Sequence, residues 1–153
     1  MEIKQLTSKN IQDILDLEKE NAPRKPFYVA YTKEELDGLY KEGKFFAFGL
    51  YDGEELIEWG SYEEKSPNEF EISSLVLNKR NRGKGLGKKM INYLIDEIHS
   101  SQPASQPASN IHLVVYPKNL PALLLYLNCG FVIYGYKKDY FGPGTDRLLL
   151  KLS

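Results

Sequence analysis

Apolar residues follow two rhythms along this chain, one of strands and one of helices, and the rhythm changes often. Ile3 to Leu6 reads as a short first strand. Ser8 is placed to cap a helix starting near Asn10, with Ile11, Ile14, Leu15 and Leu17 on one stripe, and Asn21-Ala22-Pro23 ends it. Thr32 followed by Glu35 has the spacing of a capping box and opens a second helix through about Tyr40, with Gly43 as its stop. Phe45 to Tyr51 is strand-like, Asp52-Gly53 signals a hairpin, and Leu56 to Tyr62 returns. After a turn at Pro67-Asn68, Phe70 to Leu77 alternates and then becomes continuously apolar, as a strand deep in a sheet does. Residues 45–77 are therefore expected to form an antiparallel meander.

Helices and strands then take turns. Lys84 to His99 places Leu86, Met90, Ile91, Leu94, Ile95 and Ile98 on one helical face, the strongest amphipathic pattern in the chain. Ser101 to Asn110 contains SQPA twice. Proline removes backbone donors and Ser, Gln and Ala offer little to pack, so a surface loop is expected. Ile111 to Tyr116 is a β-branched strand. Asn119 is a fitting N-cap and Pro121 fits the first turn of a helix through Asn128, ended by Cys129-Gly130. Phe131 to Lys138 and Arg147 to Leu152 form a last strand pair, joined through Tyr140-Phe141-Gly142-Pro143-Gly144. This order predicts an α/β fold of mixed α+β character, with one central sheet, helices on its faces and a single domain over residues 1–153.

Composition narrows the function. A chain of 153 residues buries about 70% of its unfolded surface and needs no cross-links. Twenty Lys and Arg oppose 21 Asp and Glu, so neither a globally basic nucleic-acid binder nor an acidic disordered chain is expected. Cys129 is the sole cysteine, which excludes an internal disulfide and a cysteine-built zinc cage. Met1 to Gln5 has no apolar signal core, and the longest apolar run, Pro121 to Leu127, is far too short for a bilayer. The expectation is a cytoplasmic protein with no membrane partner; a homodimer is left open. His99 and His112 fall at no ligand or triad spacing, so both read as structural or surface residues and no metal site is expected.

Charge is unevenly placed. Residues 78–89 hold Lys79, Arg80, Arg82, Lys84, Lys88 and Lys89 and no acid. Within them Arg82-Gly83-Lys84-Gly85-Leu86-Gly87 lies between a strong strand and a strong helix. Glycines permit close backbone approach, and a helix N-terminus offers unpaired N–H groups and a positive dipole end. The combination suits phosphate. The glycines run GxGxG with Lys88 next, which is neither the Walker spacing nor the Rossmann GxGxxG. Composition alone also permits a glycine turn on a solvated basic patch.

Arg82-x-x-Gly85-x-Gly87 resembles the acyl-CoA-binding signature of the GNAT superfamily of N-acetyltransferases. Asn119-x-x-Ala122-x-x-Leu125-Tyr126-x-x-x-Gly130-Phe131 resembles a second signature of that superfamily, in the expected order and separation. The resemblance implies a mostly antiparallel mixed sheet flanked by helices. It also implies acetyl transfer from acetyl-CoA to a primary amine, by direct attack in a ternary complex. Residue by residue, it implies that backbone amides of Gly83, Lys84, Gly85, Leu86, Gly87 and Lys88, next to Arg82, hold the coenzyme A pyrophosphate. Leu75, Val76 and Leu77 would run along the pantetheine arm, with the Leu75 N–H polarising the thioester carbonyl. Asn119 would touch the pantetheine, and Tyr126 would protonate the departing thiolate. Glu71, eleven residues before Arg82, resembles the strand glutamate that some members use as a base, directly or through water. Strand alternation would set Glu69, Glu71 and Ser73 on one face.

Plainer readings stand beside these. Tyr126 would pack its ring beside Leu123 and Leu127, Glu71 would be a solvated strand residue, Asn119 an N-cap only, and Cys129 a small buried residue. A non-catalytic acyl-CoA-binding module would keep Arg82 to Gly87 without needing Tyr126 or Glu71; the presence of both favours the enzyme. On the acceptor side, Asp52, Glu54, Glu55, Glu58, Glu63 and Glu64 make residues 52–64 acidic. They would steer a cationic amine inward, although a solvated hairpin explains them equally well. The resemblance also implies that Phe27, Tyr28 and Tyr31 line the acceptor cleft. Tyr134, Tyr136, Tyr140 and Phe141, with the Gly142-Pro143-Gly144 turn, would form its other wall. Small amines and protein amines, an α-amine or a lysine, are not separated by the sequence.

Overall fold

The computed structural model describes residues 1–103 and 110–152. Seven strands form one sheet: β1 (Glu2–Leu6), β2 (Phe45–Asp52), β3 (Glu55–Ser66), β4 (Glu69–Leu77), β5 (Asn110–Val115), β6 (Phe131–Lys137) and β7 (Arg147–Leu152). Their order is β1-β2-β3-β4-β5-β7-β6. Every neighbouring pair is antiparallel except β4 and β5, which run parallel. Four helices flank the sheet: α1 (Ile11–Asn21), α2 (Lys33–Glu42), α3 (Leu86–Ser100) and α4 (Leu120–Asn128). None among the described residues is long and apolar enough to cross a membrane. Most of the SQPA segment lies outside the described residues; Ser101 closes α3 through its N–H to Glu97 O.

Local chemistry explains the helix ends. Thr32 and Glu35 form the expected capping box at 3.1 and 3.0 Å, and α2 stops at Gly43 in the left-handed region. The first cap differs from the expectation. Thr7, not Ser8, accepts from the Lys9 N–H, and the Asn10 side chain bonds back to the Thr7 N–H at 2.9 Å. A short 3-10 turn over Ser8–Asn10 then leads into α1.

The sheet separates two apolar layers. On one face Phe48, Ile57, Tyr62, Phe70 and Ile72 pack against Met90, Ile91, Leu94 and Ile98 of α3. On the other, Phe45, Ala47, Trp59 and Val76 pack against Ile14, Leu17 and Leu36 of α1 and α2. A bulge in β4 changes which residues face which layer. Ser61 pairs with Ser74 and Tyr62 with Ile72, which leaves Ser73 as an extra residue. Phe70 and Ile72 therefore share the α3 layer with Leu75, whereas Val76 joins Trp59 on the α1–α2 side. Glu71 and Ser73 line one cavity, whereas Glu69, expected on the same face, lines another.

Beyond the bulge the sheet opens. β4 and β5 are paired only at Glu69–Asn110, Phe70–Ile111 and Glu71–His112. Past that point the strands part, and a cavity of about 70 Å³ between them is lined by Ile72 to Leu75, Leu113 to Val115 and Tyr126. This opening explains why Leu75 is only half-buried although the end of the strand is continuously apolar.

Candidate active site

The glycine loop is built from β4 outward. Asn78 accepts the Arg80 N–H at 3.0 Å and starts a 3-10 turn over Lys79–Asn81. Gly83 and Gly85 follow with φ of 76° and 80°. A Cβ at either position would meet no atom within 4 Å, so these glycines serve backbone conformation rather than space. Gly87 does the reverse: its φ is not positive, but a Cβ there would come 3.2 Å from Leu125 Cδ2 on α4. The first bond of α3 runs from the Lys89 N–H to Gly85 O at 3.1 Å. The N–H groups of Leu86, Gly87 and Lys88 therefore lie ahead of the helical ladder. No side chain caps them and the first turn has no acid, among the described residues. An uncapped, acid-free helix start behind two left-handed glycines fits a phosphate group.

The Arg82 side chain is turned back into the fold. Its Nη2 donates to Asn21 O at 2.6 Å and its Nε to Leu77 O at 3.3 Å. It thereby ties the loop to the end of α1 and the end of β4. Arg80 pairs with Glu55, and Lys84 Nζ lies 3.4 Å from Asn81 Oδ1.

Tyr126 projects from α4 to the gap between β4 and β5, where Leu75 also lies. Its ring packs edge-on against Phe131, 6.2 Å between centroids. Burial pushes its phenol up to about 12, so it holds its proton at neutral pH. Val76 is 1% exposed, packed in the α1–α2 layer. Asn119 is the cap of α4, accepting the Ala122 N–H at 3.4 Å. Cys129 is half-buried rather than buried, and burial pushes its thiol up while Lys88 pulls it down.

A larger cavity, about 470 Å³, opens on the α2 side of β4. The α1–α2 connection lines it with Phe27, Tyr28 and Tyr31, α2 with Glu34, Glu35 and Glu42, β3 with Glu63 and Lys65, and β4 with Glu71 and Ser73. Phe141 and Arg147 close it. The Arg147 guanidinium donates to Pro26 O at 2.9 Å and sits 5.1 Å from the Phe141 ring centre. Burial raises the Glu71 carboxyl, opposed by Lys65 and His112. Below the cavity Glu18 is buried on α1, accepts from the Tyr28 hydroxyl, and is raised by burial to about 7.

Several expected residues lie elsewhere. The acidic wall comes mainly from α2, not from the hairpin: Glu54 and Glu55 face Asp13, Asp16 and Glu20 across a separate hollow. Glu58 is buried, and of that acidic stretch Glu63 lines the cavity. Tyr134 and Tyr136 are largely exposed, with Tyr136 donating to Asp146, and Phe141 is the C-terminal aromatic on the cavity wall. His112 is no bystander. Its Nδ1 lies 3.9 Å from Glu71 Oε2 and its Nε2 3.4 Å from Glu69 Oε1. Sequence spacing had no means of finding it, because the parallel β4–β5 register makes the contact.

A phosphate-fitting loop, a parted strand pair holding a protonated tyrosine, and an acidic cavity on the same strand are together compatible with an acyl transferase. Residues 9–131 match the Acetyltransferase (GNAT) family, and the chain belongs to that family. It is an acetyl-CoA-dependent N-acetyltransferase. It is 29% identical to a spermine/spermidine N(1)-acetyltransferase of Bacillus subtilis, over 97% of this chain and 96% of that protein. The fold is similar to that of an N-acetyltransferase from Staphylococcus aureus (TM-score 0.83, 19% identity, 99% of this chain and 96% of the other). It is also similar to the ribosomal-protein-S18-alanine N-acetyltransferase of Escherichia coli (TM-score 0.82, 16% identity, 99% and 92%).

Proposed function

We propose that this N-acetyltransferase acetylates a primary amine of a small linear polyamine in the cytosol, by direct attack in a ternary complex. The acidic, aromatic-walled cavity at Glu71 carries the reading. Methylene-separated ammonium groups fit carboxylates at Glu34, Glu42 and Glu63, and their methylenes fit the faces of Phe27 and Tyr28. The name of the Bacillus subtilis relative supports it.

The roles follow from placement. The amides from Gly83 to Lys88 would hold the pyrophosphate of acetyl-CoA, whose bound form supplies the activated acetyl thioester. Arg82 fixes the loop rather than touching phosphate. The backbone of Leu75 to Leu77 would run beside the pantetheine, with the Leu75 N–H toward the thioester carbonyl. Asn119 caps α4 and so orients Tyr126. Glu71 would take the proton of the attacking amine, and burial, by raising its carboxyl, makes it a better base for that task. Tyr126 keeps a proton for the departing thiolate.

Thiol release measured with spermidine, spermine, a monoamine of matched length and an alanine-ended peptide tests this reading. A polyamine should exceed the monoamine in kcat/KM by about tenfold or more, the worth of one charge-assisted contact. Equal rates for monoamine and polyamine, or preference for the peptide, would overturn it.

A further inference from the structure

His112 has no part in the roles above, yet it stands between two openings. Glu71 lines the acceptor cavity. His112 and Glu69 line a separate cavity of about 240 Å³ with Asn110, Tyr134 and Lys151. The ring spans the gap, with Nδ1 3.9 Å from Glu71 Oε2 and Nε2 3.4 Å from Glu69 Oε1. The sheet sets this placement, since Glu71–His112 is the last pair before β4 and β5 part. His112 Nε2 is buried and makes no hydrogen bond among the described residues. The Glu69 side chain beyond it is 46% exposed and accepts from Ser66 Oγ at 2.9 Å. Titratable atoms thus run from the acceptor cavity to solvent.

We propose that His112 is a proton relay, a positioning residue that carries the acceptor's proton from Glu71 to Glu69 and out through the second cavity. This rests on Glu71 accepting that proton. The amine N–H bond breaks as a Glu71 O–H bond forms. Glu71 then passes its proton to His112 Nδ1, and the proton on Nε2 leaves for Glu69 and water. One proton enters and one leaves, and the ring regains its starting tautomer by exchange with solvent. Neither leg is a hydrogen bond as it stands: the 3.9 Å span to Glu71 closes by a small rotation of that carboxylate or through one bridging water, and Nε2, 3.4 Å from Glu69 Oε1 but unbonded, donates after a similar turn of the Glu69 carboxylate. The exit matters because burial favours protonated Glu71, which would otherwise keep its proton after turnover. The groups facing this line are Glu69 and Glu71 on β4, Lys151 opposite His112 on β7, and Tyr134 on β6. Glu63, Lys65 and Tyr140 also act on Glu71.

The test is the single-turnover rate against pH for His112→Ala, His112→Gln, Glu69→Gln and Glu71→Gln, with acetyl-CoA affinity and Tm measured on each. His112→Ala should lose about 10²-fold near neutral pH, the low end for an assisted proton transfer. Its acetyl-CoA affinity should hold, its loss should shrink as pH rises, and added imidazole should restore part of the rate. Glu69→Gln should show a smaller loss of the same pH shape. Should the alanine variant fail to fold, His112→Gln decides by its pH shape alone. Parental rates for both His112 variants, or a loss uniform in pH and untouched by imidazole, would overturn the relay. If Glu71→Gln is impaired while the His112 variants are not, the relay alone falls. If Glu71→Gln matches the parent, the base role falls and takes the relay with it.

Discussion

Single buried side chains decide the protonation chemistry, and two of them make sharp predictions. Tyr126 lines the gap beside Leu75, a lining that holds no residue of the glycine loop. Tyr126→Phe should therefore leave acetyl-CoA affinity unchanged by calorimetry while turnover falls by about 10²-fold or more. Retained turnover, with chemistry shown to limit the rate, would remove the phenol from the mechanism. Glu58 has no chemical task in this site. It is 1% exposed, both its oxygens lack a hydrogen-bond partner among the described residues, and burial lifts it from 4.5 to about 8 against the pull of Lys89. A folded-state value above the unfolded one means the native state holds the proton more tightly. Its contribution is thus full below about pH 4.5 and is lost as pH rises through about 8. Glu58→Gln should match the parent's unfolding free energy in acid and exceed it above about pH 8, by an amount on the order of a few kcal/mol, read as a higher Tm only at the higher pH. A constant offset at all pH values would show that Glu58 does not titrate in this way.

At the scale of elements, the glycine loop is tied through Arg82 to two neighbours, the ends of α1 and β4. Arg82 reaches Asn21 O and Leu77 O together, which a point-charge ammonium on a shorter stem cannot reproduce. Arg82→Lys should weaken acetyl-CoA binding nearly as much as Arg82→Met, with the salt dependence of binding unchanged. Full rescue by lysine would instead mean that the charge of residue 82 faces the ligand. The loop, α3 and α4 were legible in the chain because their cues are local: a glycine pattern, an unbroken amphipathic face, and Asn119 with Pro121. Thr7 was missed as a cap because Thr7 and Ser8 both carry hydroxyls that suit the role. The 3-10 turn, invisible to periodicity, chose between them. The β4 bulge at Ser73 was missed for a related reason: an extra residue in a strand is defined by its partner, here Ser61 and Tyr62 on β3.

At the scale of the whole molecule, charge is sorted into opposite zones. The cations of residues 79–89 surround the loop, while Glu34, Glu42, Glu63 and Glu71 line the large cavity on the α2 side. A near-neutral total hides this arrangement. The sequence by itself determined the order of elements, the helix caps at Thr32 and Asn119, the glycine loop, and Tyr126 and Glu71 as candidates. Those rest on interactions within a few residues or on a resemblance carried by two short motifs. Only the tertiary structure decided which acids line the large cavity, chiefly those of α2 rather than of the hairpin, because strand and helix packing brings together residues far apart in the chain. It also turned Arg82 inward, retired Tyr134 and Tyr136 from the cleft, and set His112 between Glu69 and Glu71. Each of these depends on the register of two elements joined by no local signal, and register is settled by the packing of the complete sheet.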